Sequence, residues 1–264
     1  LGDLYGVHWP FKQHKTSRNI KKLPHHENLK SFGACFGVSG GYERPMWFAL
    51  NGEKAEYEYS YNFQNWYPSA EYETNNTVKN VGLFDLTPFS KFEIKSDKAH
   101  NELQKICTAN IKNEPGKCIY TQMLNSDGGI EADLTVVCIN KNHFRIISSA
   151  ATRERDKFHI QKYLSSNTKL KDVTDDLCVF GLFGPKSRDL IKNLSNENFD
   201  NLNFKFGTAK YIIIDGIKVW TQRLSYVGEL GFELYVEVKD AKKIYELIIE
   251  LGKEVNLSNC GMHA

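Results

Sequence analysis

Residues 120 to 137 read Tyr-Thr-Gln-Met-Leu-Asn-Ser-Asp-Gly-Gly-Ile-Glu-Ala-Asp-Leu-Thr-Val-Val, which sets one carboxylate, Asp133, at the mouth of an otherwise apolar strand. A carboxylate there could act as a general base or stabilise positive charge in a reacting group. Gly128 and Gly129 permit the positive φ angles of a tight turn and a close backbone approach by a ligand, while Leu134, Val136 and Val137 point into a core. On spacing alone, Asp133 could equally just end a turn. A second segment favours the chemical reading: Arg223-Leu-Ser-Tyr-Val-Gly-Glu-Leu-Gly-Phe-Glu-Leu-Tyr235 again sets an acid, Glu229, in a glycine-flanked loop ahead of an alternating strand.

Together these blocks resemble the folate-binding region of the aminomethyltransferase (glycine-cleavage T-protein) family. The first looks like that family's YT…GGI…DDL block and the second like its GYTGEDGFE block. Further matches follow in order: Val81-Gly-Leu-Phe-Asp-Leu-Thr-Pro-Phe-Ser-Lys-Phe-Glu-Ile94, Thr108-Ala-Asn110 and Leu182-Phe-Gly-Pro185. The resemblance covers roughly residues 78 to 264. Upstream, Gly41-Tyr-Glu-Arg-Pro-Met-Trp-Phe-Ala49 and Tyr5-Gly-Val-His-Trp-Pro10 look like the approach to this domain in dimethylglycine and sarcosine dehydrogenases. Those enzymes fuse a flavin-dependent amine oxidase to a folate domain.

The resemblance implies tetrahydrofolate as cofactor, with Asp133 beside the folate nitrogens where the one-carbon unit is captured. Glu229 would bind the pterin edge and Tyr120 would line the pocket; Tyr226, Asn110 and Ser149 are secondary candidates. Ser149 departs from the Asn usual in the T-protein pattern, which sets that contact apart. The implied activity is passage of carbon at the formaldehyde level from a small methylated amine to tetrahydrofolate. FAD would reside in a flavin-binding domain of the same parent chain. The rivals are a stand-alone aminomethyltransferase or sulfonium demethylase of the family, and a non-catalytic folate-binding protein.

Composition sets bounds on these readings. At 264 residues with 41% apolar content the chain can bury a sizeable core, and a formal charge of +2 gives no sign of a nucleic-acid surface. No apolar run approaches the roughly 20 residues that span a bilayer, and no secretory signal pattern opens the chain, so a cytoplasmic or, in a eukaryote, mitochondrial-matrix location is expected. The six cysteines form no CxxC pair and suit reduced core thiols, and the histidines lack ligand spacing, so no metal is expected.

The elements that position the candidate residues can be read from periodicity. Residues 1–45 are expected as a connecting arm and 46–264 as the folate-binding domain. The alternation Tyr57, Tyr59, Tyr61, Phe63 predicts a strand or extended segment with one buried face. Lys91–Ile94 predicts a strand followed by a helix over 98–106, and Cys178–Phe183 predicts a strand followed, after Gly184-Pro185, by a helix burying Leu190, Ile191 and Leu194. Hairpins are expected at Asn140-Lys-Asn142 and Asp215-Gly216, and helices over 155–164 and 241–251. The fold class is α+β, with two intertwined antiparallel sheet/helix halves of T-protein type. Cys260-Gly-Met-His-Ala264 looks like the start of the segment that precedes the family's C-terminal β-barrel. That barrel and the flavin half are therefore expected to be missing, making the chain a fragment or a stand-alone remnant; no Gly-x-Gly-x-x-Gly follows a strand.

Overall fold

The computed structural model describes residues 5, 6 and 8–264. Of the Tyr5–Pro10 motif, Val7 lies outside the described residues, as do positions 1–4 of the expected arm. The elements run α1 (His26–Ser31), β1 (Ala34–Ser39), β2 (Tyr42–Phe48), α2 (Tyr67–Lys79), β3 (Val81–Asp85), β4 (Ser90–Lys95), α3 (Ala99–Ile106), β5 (Cys118–Leu124) and β6 (Ile130–Asn140). They continue with β7 (His143–Ser148), α4 (Arg153–Tyr163), β8 (Lys169–Asp172), β9 (Leu177–Phe183), α5 (Ser187–Leu194), β10 (Ala209–Ile214), β11 (Ile217–Gln222), β12 (Gly231–Glu237), α6 (Val238–Gly252) and β13 (Leu257–Cys260).

Alternation along the strands builds the layers. In β9, Cys178, Phe180 and Leu182 join one apolar cluster while Val179 and Phe183 join another. Their side chains must therefore leave opposite faces of the strand. The six-stranded sheet β10-β11-β12-β9-β3-β13 buries one face under α5 and α6, through Leu190, Ile191, Ile244 and Ile248. The five-stranded sheet β5-β6-β7-β4-β8 buries one face under α3 and α4, through Leu103, Ile106 and Ile160. The remaining faces meet through Val137 and Ile147 on one side and Val179, Phe183 and Tyr235 on the other. No closed barrel forms among the described strands.

The two halves cross over as expected: β3 and β4, adjacent in sequence, join different sheets. The unit β4–α3 builds one sheet-and-helix layer and β9–α5 the other. Hairpin chemistry accounts for two registers. Asp215 and Gly216 both take positive φ, +45° and +77°, so that Ile214 faces Ile217 across a two-residue turn. Asn140 faces His143 across the other turn.

Two expectations fail. The aromatic stretch 57–63 forms no strand, because Tyr61 and Phe63 are 93% and 81% exposed and leave no buried face to pin a register. Tyr57 instead stacks on Tyr59, with ring centroids 5.4 Å apart. The expected arm is also folded from its second half onward: Leu23, Leu29 and Ala34 belong to the cluster under the six-stranded sheet, and β1 pairs with β2. Short apolar contributions from several small elements, rather than one periodic run, hide this region from a periodicity reading.

Candidate functional site

β5 and β6 form a hairpin closed by the turn Asn125–Gly129, where the Asn125 Oδ1 accepts from the backbone amides of Asp127 and Gly129. Gly128 takes the positive φ, +81°, whereas Gly129 does not; there an added Cβ would press on the Asn125 side chain at 2.9 Å. Asp133 stands within β6, not at its mouth, and its carboxylate is exposed. The Tyr120 hydroxyl of β5 donates to Asp133 Oδ2 at 3.0 Å, and this contact, led by the hydrogen bond, raises the Tyr120 pKa. Two residues along the same face of β6, Thr135 Oγ1 lies 3.2 Å from the Tyr226 hydroxyl. Asp133, Tyr120 and Tyr226 are thereby brought together. Asn110 is exposed in the loop before β5 without a side-chain hydrogen bond, and Ser149 is exposed after β7, where its hydroxyl caps the turn at Ala151.

Glu229 and Glu233 part company in the structure. Glu229 is half-buried in the turn before β12 and makes no side-chain hydrogen bond or ion pair. Glu233, inside β12, is 3% exposed and looks into the space between the sheets, with Tyr226, Phe89 and Tyr235 lining a narrow recess beside it. The Tyr235 hydroxyl donates to Glu233 at 2.8 Å, yet burial dominates and pushes the Glu233 pKa up to about 7. Its cross-strand neighbour Gln222 is fully buried and its amide nitrogen has no partner. A buried amide nitrogen left without a partner beside a buried carboxylate is costly in an apolar setting unless a ligand completes it. Burial, and then the Glu233 charge, push the Tyr226 pKa up to about 12: its hydroxyl is sunk beside Thr135 while the residue as a whole stays 58% exposed.

The rim of the recess is held from below. Lys91, fully buried, donates through Nζ to the carbonyl oxygens of Thr87 and Phe89 at 2.7 and 2.8 Å, fixing the turn that presents Phe89. Phe89 stacks on Tyr226 with centroids 6.5 Å apart. Burial pulls the Lys91 pKa down to about 7. Under the same turn Asp85 accepts from Thr87 N at 2.8 Å and lies 2.9 Å from His25 Nε2, both side chains being buried. Sequence reading missed Glu233. The available signal was a charged residue at every-other spacing from Tyr235, flanked by apolar Phe232, Leu234 and Val236 and set well inside the strand, unlike the exposed Glu237 at its end.

Residues 25–264 match the GCVT N-terminal domain model. The chain belongs to the aminomethyltransferase (glycine-cleavage T-protein) family. Its relatives in the family include the 4-methylaminobutanoate oxidase (formaldehyde-forming) of Paenarthrobacter nicotinovorans, 34% identical over 100% of this chain and 32% of that protein. The mitochondrial dimethylglycine dehydrogenase of Rattus norvegicus is 30% identical over 98% of this chain and 30% of that protein. The chain thus spans about a third of the length of these curated relatives. The glycine cleavage system aminomethyltransferase T of Bartonella henselae superposes with a TM-score of 0.74 at 21% identity, covering 93% of this chain and 61% of that one, which establishes the T-protein fold. Among the described residues, no helix is long and apolar enough to cross a membrane, and no cluster of His, Cys, Asp or Glu could hold a metal.

Proposed function

We propose that this chain is the tetrahydrofolate-binding, one-carbon-transfer part of an oxidative demethylase of the dimethylglycine or sarcosine type. The observation that carries this reading is Glu233: a buried carboxylate at the floor of an aromatic recess, four residues beyond the Glu229 to which the sequence pattern assigned the role. A pterin edge presents adjacent N–H donors, and a carboxylate accepts them as a pair. The pterin-edge role therefore passes from Glu229 to Glu233, with the Gln222 amide beside it as a donor for a ring nitrogen or oxygen. The recess is narrow, so admission of the ring requires Tyr226 and Phe89 to swing aside. Tyr226, with its ring exposed and its hydroxyl held by Thr135 alone, is suited to that movement.

Reduced folate would supply the secondary amine nitrogens that accept a carbon unit. Asp133, at the outer rim, is the group that would hold a proton for the attacking amine and stabilise positive charge developing on nitrogen. Tyr120 orients that carboxylate through its hydroxyl. The oxidation of the methylated amine by FAD is assigned to a flavin-binding domain of the same parent chain, as no dinucleotide-binding glycine motif lies in this sequence. The buried thiols suit a reducing compartment, the cytoplasm or a mitochondrial matrix.

Calorimetric titration with 5-formyltetrahydrofolate tests the reading. Glu233→Gln should weaken binding by about thirty-fold or more, because an amide nitrogen would face a pterin donor in a buried site, whereas Glu229→Gln should change it by less than about three-fold. Equal losses in both variants, or no binding by the wild type, would overturn it.

A further inference from the structure

A second cavity, of about 680 Å³, opens between the N-terminal segment, α1 and the β1–β2 hairpin, and shares no lining residue with the Glu233 recess. Its walls carry Lys15, Arg18, Lys22 and Lys30, against the carboxylates of Glu43 and Glu56. Glu43 is already spent: Arg18 Nη2 meets its Oε2 at 2.6 Å, and the Asn19 amide donates to its other oxygen. Burial alone would raise the Glu43 pKa, but these bonds hold it below the ordinary value. Lys15 and Lys30 have no hydrogen-bond or ion-pair partner among the described residues, and Lys22 reaches only an exposed Glu27 at 3.8 Å. Glu56 sets one unpaired carboxylate against Lys15, Lys22 and Lys30, so the groove keeps a net positive charge.

At the cavity wall lies His26, 4% exposed, its ring stacked on Phe36 with centroids 4.3 Å apart. Its Nδ1 is buried without a partner. Leaving that nitrogen unsatisfied costs about 1–3 kcal/mol, which a polar ligand reaching it from the cavity would offset. The geometry points to a site for a small, multiply charged anion, bearing two or more phosphate or carboxylate groups, held by Lys15, Lys22 and Lys30 and contacted by His26. Lys15, Arg18 and Lys22 precede residue 25, where the match to the family model begins, whereas His26 and Lys30 lie within it. β2 separates the two cavities. Glu43 faces the cationic one, while its neighbour Arg44 sends its guanidinium over the Phe89 ring at 5.9 Å.

The test is calorimetric titration of the purified protein at low ionic strength with pyrophosphate and, in a separate arm, with the tricarboxylate tricarballylate. Saturable binding of one or both is expected, the stronger arm identifying the anion class. The surface double variant Lys15→Ala/Lys30→Ala should weaken the dissociation constant ten-fold or more, and His26→Phe, which keeps the stack on Phe36, should weaken it at least three-fold. Tyr226→Phe should leave it unchanged. Circular dichroism verifies folding, and the double variant alters only exposed side chains. No saturable heat with either anion up to millimolar concentration, or a dissociation constant that moves less than two-fold in both cationic-site variants, overturns the proposal.

Discussion

The Tyr120 hydroxyl and the Asp133 carboxylate meet at 3.0 Å across the β5–β6 hairpin, one step diagonal from the direct pairing partners Tyr120↔Thr135 and Gln122↔Asp133. Diagonal neighbours on one sheet face lie within reach of a long aromatic side chain, which is how a phenol comes to orient this acid. Both side chains are exposed, so their bond has small weight in stability and its significance lies in aim.

Asp133→Ala is expected to slow folate-coupled carbon transfer by about a hundred-fold or more while leaving reduced-folate binding within a few-fold of wild type, as befits a group that acts on charge developing in the transition state. Tyr120→Phe should cost less than about ten-fold. Single-turnover rates and dissociation constants for both variants check this; a wild-type rate in Asp133→Ala with collapsed binding would reverse the assigned role.

With Glu233 in the pterin-edge role proposed above, binding is expected to depend on pH. Its carboxyl titrates near 7, and a pterin edge of donors prefers the carboxylate, so affinity for a reduced folate should fall as pH drops below 7, approaching ten-fold per unit. Stability should move the other way. With a folded pKa raised above its unfolded value, Glu233 contributes stability that is full below about 4.5 and lost as pH rises through about 7. Glu233→Gln should flatten both profiles, read by calorimetry and by urea denaturation at pH 5 and pH 8.

The buried pair His25–Asp85 predicts a large folding defect. Burial alone would raise the Asp85 pKa, but the bonds from His25 and Thr87 hold it below the ordinary carboxylate value. That contribution is present above pH 4 and is lost as pH falls through the depressed value. His25→Ala strands the carboxylate and should destabilise by about 3–5 kcal/mol, as removal of one partner from a buried pair does. His25→Ala/Asp85→Asn should recover part of the loss in urea denaturation.

Gly184 starts the turn into α5 with φ +128°, and a Cβ there would lie 2.3 Å from the Asn80 carbonyl oxygen. Both the conformation and the clash with backbone oppose a side chain. Gly184→Ala should cost about 3 kcal/mol or more in thermal or chemical unfolding. A loss below 1 kcal/mol would mean the turn relaxes freely.

The parts of the fold that were legible in the sequence are those with strong periodic or turn signals. β9 and α5 were read from a run of apolar residues, a Gly-Pro turn and a helical stripe, and the β10–β11 hairpin from Asp215-Gly216. The aromatic stretch 57–63 misled because alternation of type does not guarantee alternation of burial. In the candidate site, a glycine-flanked acid drew attention to Glu229, since loops advertise themselves by composition. Glu233 was hidden because its meaning depends on which face of β12 looks between the sheets, and that depends on strand pairing far away in sequence.

β13 pairs in parallel with β3, joining residues 257–260 to residues 81–84. During synthesis, β3 can pair with β9 before β13 is made, so its other edge waits as a row of open amides and carbonyls. Such an edge invites pairing with other chains. The β3 edge therefore stays open to mispairing until residues 257–260 are made, and this pairing is one of the non-local contacts that slow folding.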